Sequence, residues 1–254
     1  MSEARSGRWL VSWSDRPDAR LRLFCLPFAG GSASIYRHWA NALPDDIGVY
    51  GVQLPGRESR IREPAYKRMD SLVARLANEL QPFIDRPYVL FGHSMGAAIA
   101  FETARQLIST FGLPPQQLLV SGRRAPGLPS VRPPSYQLSD EAFTQRLREL
   151  NGTPSEVLEH PELMELLLPV LRADFELDDT YEMLPGPALG CDLSVIGATD
   201  DTEVSSDELS AWSTLSGGLT TVTVLRGGHF HITQDPEGLL DAVRSTLSKR
   251  PNAE

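Results

Sequence analysis

The 254 residues suffice for one large α/β domain with a sizeable core. A formal net charge of −9 disfavours binding of bulk nucleic acid, which calls for a basic surface, and no run reaches the ~18 apolar residues a membrane helix needs. Cys25 and Cys191 sit in apolar, strand-like runs without C-x-x-C spacing, so zinc and thiol redox chemistry are set aside and both thiols read as buried and free. The first fifteen residues carry Glu3, Arg5 and Arg8 and lack the apolar core of a secretion signal, which makes the cytoplasm the expected location.

In chain order, 9–13 alternates apolar and polar residues and reads as an antiparallel edge strand. Strands follow at 21–26, 49–53, 88–91, 117–121, 193–197 and 221–225, with helices between them at 69–84 and 95–108 and a closing helix at 237–247. The helix at 69–84 sets Leu72, Val73, Leu76, Leu80 and Phe83 on one face. This alternation predicts a mostly parallel sheet flanked by helices. From 126 to 190 the alternation stops and the pattern is helical, which reads as a lid inserted between two late strands of a single domain. Within it, Thr153-Pro154-Ser155-Glu156 has the form of a capping box, and Pro169 is expected to kink a helix. Phe143, Leu147, Met164 and Leu168 line a pocket beneath the lid or form its core. Residues 250–254 read as a frayed tail.

Phe91-Gly92-His93-Ser94-Met95-Gly96 closes a predicted strand and opens a predicted helix, which is the setting of a G-x-S-x-G nucleophile elbow. The sharp turn strains the serine and presents its hydroxyl above the sheet edge, while the glycines remove side chains that would collide with the turn. The N–H of Met95 then lies at a helix N-terminus, where negative charge is favoured. Gly30-Gly31, after strand 21–26, places a second donor, the N–H of Ala29 or a neighbour, in the same oxyanion hole. The base should follow late in the chain. His229, after Arg226-Gly227-Gly228 at the end of the last strand, is the candidate, with His231 as runner-up. His93 reads as a packed histidine directed away from the hydroxyl, and His160 as solvent-facing. The acid should follow strand 193–197, where Asp200 and Asp201 both stand and periodicity does not choose between them; Glu203 is more remote.

With these residues in place, the chain resembles the type II thioesterases of polyketide and non-ribosomal peptide synthesis, members of the α/β-hydrolase superfamily. The resemblance rests on Leu26-Pro27-Phe28-Ala29-Gly30-Gly31-Ser32, Gln53-Leu54-Pro55-Gly56-Arg57-Glu58, Gly92-His93-Ser94-Met95-Gly96, Ser121-Gly122-Arg123-Arg124-Ala125-Pro126 and Gly227-Gly228-His229-Phe230, so it spans nearly the whole chain. It implies the α/β-hydrolase fold, a Ser94–His229 pair, an oxyanion hole from Ala29 and Met95, no cofactor or metal, and a stand-alone editing enzyme. Its partner would be an acyl or peptidyl carrier protein, reached through the phosphopantetheine arm. No large apolar surface is evident by pattern, so a monomer is expected. The family's acid, in a Gly-Asp-x-Asp-Pro segment, falls by position on Asp200, although here the segment reads Gly197-Ala198-Thr199-Asp200-Asp201. Arg57, Arg60, Arg62, Lys67 and Arg68 crowd one loop that could face an acidic carrier. A carboxylesterase would share the triad but prefer small oxygen esters. A malonyl-type acyltransferase shares Gly-His-Ser-x-Gly but lacks the late acid, and a silent binding module would not need the full set of groups.

Overall fold

A computed structural model describes residues 8–14, 16–129 and 133–248; residues 1–7, 15, 130–132 and 249–254, and with them the tail at 250–254, lie outside the described residues. Seven strands, β1 (Leu10–Ser12), β2 (Leu21–Leu26), β3 (Ile47–Val52), β4 (Tyr88–His93), β5 (Gln117–Ser121), β6 (Asp192–Ala198) and β7 (Thr220–Leu225), form one sheet in the order β1-β3-β2-β4-β5-β6-β7. β1 runs antiparallel to β3 and every other pairing is parallel. β2 and β4 are buried at every position, as strands covered on both faces must be, which is why apolar residues dominate both. After β3 the chain crosses back over β2 to β4, so the loops leaving β2 and β4 are neighbours that diverge at the carboxyl edge. Ligand sites of open α/β sheets form at such a reversal.

The helices are α1 (Trp39–Ala42), α2 (Met69–Leu80), α3 (Met95–Phe111), α4 (Asp140–Leu150), α5 (Ser155–Leu158), α6 (Pro161–Asp179), α7 (Ser206–Ser210), α8 (His231–Gln234) and α9 (Pro236–Ser248). On one face of the sheet, Leu72, Val73, Leu76 and Leu80 of α2 pack with the alanine-rich stripe of α3. On the other, Trp39 of α1 and Leu239, Leu240, Val243 and Leu247 of α9 share a second core cluster. Burying each such leucine contributes about 1.5–3 kcal/mol relative to leaving it in water. The expected helix at 69–84 gives way to a 3-10 turn over Gln81–Phe83, because Pro82 cannot donate to the helical ladder.

α4, α5 and α6 lie between β5 and β6 and have a core of their own, with Phe143, Leu147, Leu158, Met164 and Leu171 packed together. One local expectation changes here. α5 starts at Ser155 with Pro154 at its cap and no side-chain cap bond, so the Thr153–Glu156 box does not form. A complete capping box stands instead at Ser205 and Glu208, opening α7. Pro169 lies inside α6, which continues through it as one helix. Cys25 and Cys191 are free and buried, and burial pushes the Cys25 thiol well above its ordinary value and that of Cys191 up to about 11.

Candidate active site

The strand-to-helix turn from β4 to α3 sets Ser94 at φ 52° and ψ −121°, a conformation a non-glycine residue adopts only when its surroundings hold it there, at a cost of about 1–3 kcal/mol. The Ser94 N–H donates to the Ser121 carbonyl at 2.8 Å, which pins the turn to β5. Close approach explains both flanking glycines. A Cβ on Gly92 would lie 2.0 Å from the Gly96 carbonyl oxygen, and one on Gly96 would lie 2.4 Å from that of Leu26.

The structure brings His229 to the serine: His229 Nε2 stands 3.0 Å from Ser94 Oγ. The carboxylate behind the imidazole is Asp201, with Oδ2 at 2.9 Å and Oδ1 at 3.1 Å from His229 Nδ1. A carboxylate can only accept, so Nδ1 carries the proton and Nε2 accepts from the serine hydroxyl. This corrects the position-matched choice of Asp200. The Asp200 N–H is tied to the Gly227 carbonyl at 2.8 Å, its side chain is exposed, and its Oδ2 accepts only the neighbouring Thr199 hydroxyl at 3.1 Å. Asp201 turns inward because its side chain starts a second turn, with Oδ1 accepting the Glu203 N–H at 2.8 Å. Burial pushes the Asp201 carboxyl up, but the His229 hydrogen bond and charge and the backbone N–H groups of Glu203 and Val204 outweigh it and hold the group below its ordinary value. It is ionised at neutral pH.

Phe28 to Gly31 form a tight turn closed by the Gly31 N–H on the Phe28 carbonyl at 2.8 Å, with Gly30 at φ 77°. The Ala29 N–H is not used by that closure, and the Met95 N–H, at the first position of α3, has no intrahelical acceptor. Ala29, Ser94 and His229 line a cavity of about 520 Å³, together with Arg123, Leu147 of α4 and Phe175 of α6. Leu147 thus belongs to both the cavity wall and the helical core, whereas Phe143 and Met164 pack within that core.

Behind the site lies a buried layer in which His93 packs away from the Ser94 hydroxyl, as expected, and shares a partner with His231. His93 is fully buried, with Nδ1 3.1 Å from Ser121 Oγ, and the same hydroxyl is 2.8 Å from Nε2 of the buried His231. Burial, and next the nearby charges of His229 and His231, hold the His93 imidazole well below its ordinary value, and burial lowers that of His231. Both are neutral at pH 7. His231, the runner-up for base, is therefore part of the support beneath His229, and Ser121 is its junction. His160 is exposed at the start of α6. The arginine-rich loop is less of a surface than its composition suggests. Arg57 and Arg60 are buried, Arg60 pairs with Glu63, and Lys67 pairs with Glu176.

A serine, histidine and carboxylate in one hydrogen-bonded line, the serine at an elbow on the central strand of this sheet, define a serine hydrolase of the α/β-hydrolase fold. The chain belongs to the thioesterase domain family, whose model matches residues 21–249. It is 40% identical over 243 residues to the linear gramicidin dehydrogenase LgrE of Brevibacillus parabrevis, covering 94% of this chain and 92% of that one. It is 38% identical over 234 residues to the gramicidin S biosynthesis protein GrsT of Aneurinibacillus migulanus, covering 92% and 91%. Among solved structures, the type II thioesterase BorB from the borrelidin biosynthetic cluster superposes with a TM-score of 0.88 at 36% identity, over 96% of this chain and 99% of that one.

Proposed function

We propose that the protein is a stand-alone editing thioesterase that hydrolyses aberrant or stalled acyl groups from the phosphopantetheine arm of acyl or peptidyl carrier proteins in polyketide or non-ribosomal peptide synthesis. The observation that carries the reading is the line Ser94–His229–Asp201, with contacts of 3.0 and 2.9 Å, opening onto the cavity. His229 Nε2 takes the Ser94 proton as Oγ attacks the thioester carbonyl, and Asp201 stabilises the imidazolium that forms. The N–H groups of Ala29 and Met95 receive the oxyanion. The tetrahedral centre collapses with transfer of the proton to the departing thiol. His229 then activates a water that attacks the acyl-serine ester, releasing the carboxylic acid and restoring Ser94. Side chains and water suffice, and no metal or redox cofactor enters. The name of one relative invites a redox reading, but the loop after β2 reads Phe28-Ala29-Gly30-Gly31-Ser32 in place of a G-x-G-x-x-G dinucleotide turn. In this reading the enzyme works as a monomer in the cytoplasm. Among the described residues no helix is long and apolar enough to cross a membrane.

The test compares one short acyl group as a carrier-bound thioester, as a small-thiol thioester and as an oxygen ester, with Ser94→Ala as control. The highest kcat/KM on the carrier-bound form, with an inert variant, supports the reading. A preference for the oxygen ester with no gain from the carrier points to a carboxylesterase.

A further inference from the structure

A buried ion pair joins α6 to the loop that carries the Ala29 N–H. Asp174 of α6 and Arg57, from the loop after β3, expose only 4% and 7% of their side chains. Their contact is bidentate, Arg57 Nη2 to Oδ1 at 2.7 Å and Nη1 to Oδ2 at 2.9 Å. Each partner also grips the backbone of the Phe28–Gly31 turn. Asp174 Oδ2 accepts the Gly30 N–H at 2.7 Å, and Arg57 Nη1 donates to the Gly31 carbonyl at 2.9 Å.

These contacts fix peptide planes. In a trans peptide the C=O and N–H point in opposite directions. The Phe28 carbonyl faces the Gly31 N–H within the turn, so the Ala29 N–H of the same plane faces outward, on the side of the cavity that Ala29 lines. The next plane, Ala29–Gly30, is the one that differs by a flip between turn types, and the positive φ of Gly30 records which type is present. The Asp174 carboxylate, holding the Gly30 N–H, selects that orientation. A fastener between helix and loop would not need charge, because well-packed apolar residues often replace a buried ion pair without loss of stability. What an apolar pair cannot supply is an acceptor for Gly30 N–H and a donor for Gly31 C=O.

We propose that Arg57 and Asp174 are positioning residues for the oxyanion hole, holding the Ala29 N–H on the developing oxyanion through the Phe28–Gly31 turn. The inference rests on the serine-hydrolase reading above. It makes the pair matter most in the transition state, when charge reaches the carbonyl oxygen, and little in the ground state.

The test uses the double variant Arg57→Met/Asp174→Leu of the full chain, beside wild type and Ser94→Ala. Four quantities are measured: the urea midpoint, kcat and KM on a small acyl thioester, the affinity of a matching trifluoromethyl ketone that forms a tetrahedral oxyanion with the serine, and that of a thioether analogue that cannot. The expected result is a folded variant with a lower midpoint, because the Gly30 N–H and Gly31 carbonyl lose their partners, with kcat lower by about 10²-fold, ketone affinity lower by a similar factor, and KM and thioether affinity within about threefold. A folded double variant with kcat and ketone affinity within about threefold of wild type overturns the proposal. If the double variant does not fold, Asp174→Asn decides. It keeps one oxygen acceptor for the three N–H groups of Gly30 and Arg57, so a loss of about tenfold shared by kcat and ketone affinity is expected, and a kcat loss without a matching ketone loss overturns the proposal. Wild-type turnover by Ser94→Ala overturns the underlying hydrolase reading, whereas an inert Ser94→Ala beside wild-type pair variants overturns this inference alone.

Discussion

Replacing Asp201 with asparagine changes one atom type at the end of the Ser94–His229–Asp201 line and nothing in its volume. The carboxylate meets His229 Nδ1 through both oxygens, at 2.9 and 3.1 Å, with a side chain 1% exposed, so no water stands ready to substitute. The Glu203 N–H already occupies Oδ1, which orients the asparagine oxygen towards that N–H and leaves its NH2 facing Nδ1. Two donors cannot share the contact, so the imidazole moves its proton to Nε2, where it can no longer accept from Ser94. The same exchange in a serine protease lowers kcat by about 10⁴-fold, equivalent to about 5.5 kcal/mol. A thiol leaves more readily than an amine, so we expect a loss here of about 10²–10⁴-fold in kcat with KM nearly unchanged. Asp200→Asn, at an exposed side chain bonded to Thr199, should stay within about threefold of wild type. The assay is thiol release from a short acyl thioester by both variants, with urea midpoints to confirm folding. A loss in Asp200→Asn equal to that in Asp201→Asn, or an Asp201→Asn enzyme within tenfold of wild type, would refute the reasoning.

Gly96→Ala forces a Cβ to within 2.4 Å of the Leu26 carbonyl oxygen, and should lower the urea-derived stability by about 1–3 kcal/mol or more while displacing Ser94. His93 and His231 are held neutral in the folded state and bind protons readily once unfolded, so their contribution to stability is complete above the unfolded value of 6.5 and falls as pH drops below it. Each adds at most about 1.4 kcal/mol per pH unit to that slope, so urea midpoints measured from about pH 7.5 to about pH 5.5 should fall, and His231→Asn should fall less steeply. Leu147→Ala removes three carbons from the wall of the cavity. Along a ladder of straight-chain acyl thioesters, the preferred chain should lengthen, at a stability cost of about 2–4 kcal/mol.

The strands β2 and β5 are legible to the residue, because buried parallel strands are dominated by apolar residues and end where Pro27 and Gly30 or Gly122 break the run. Ser94 and His229 are legible for another reason: each sits beside glycines that a sharp turn or a close approach demands. Asp201 was not, since the two aspartates lie past the end of β6, where the two-residue period that tells one face from the other has stopped. A local signal did exist. Asp201-Thr202-Glu203 can form an Asx turn, in which the aspartate accepts the N–H two residues on, and that turn is what aims its side chain. Arg57 misled for the opposite reason. A loop with several arginines reads as a charged surface, and the carboxylate that draws Arg57 inward lies 117 residues downstream on α6, a pairing no local pattern reveals.

The seclusion of both cysteines gives the enzyme a clean chemical silence in its native state. Cys25 lies on the fully buried β2 and Cys191 just before β6, with thiols that burial keeps protonated, so neither presents the thiolate that maleimides and disulfide dyes attack. A dye that reports released pantetheine therefore counts product alone, and a thiol-directed inhibitor screen should pass this protein by while a serine-directed fluorophosphonate labels it. The same two sulfurs become reactive once the sheet opens, so a brief pulse of maleimide turns them into built-in gauges of unfolding, one at the centre of the sheet and one toward its β7 edge.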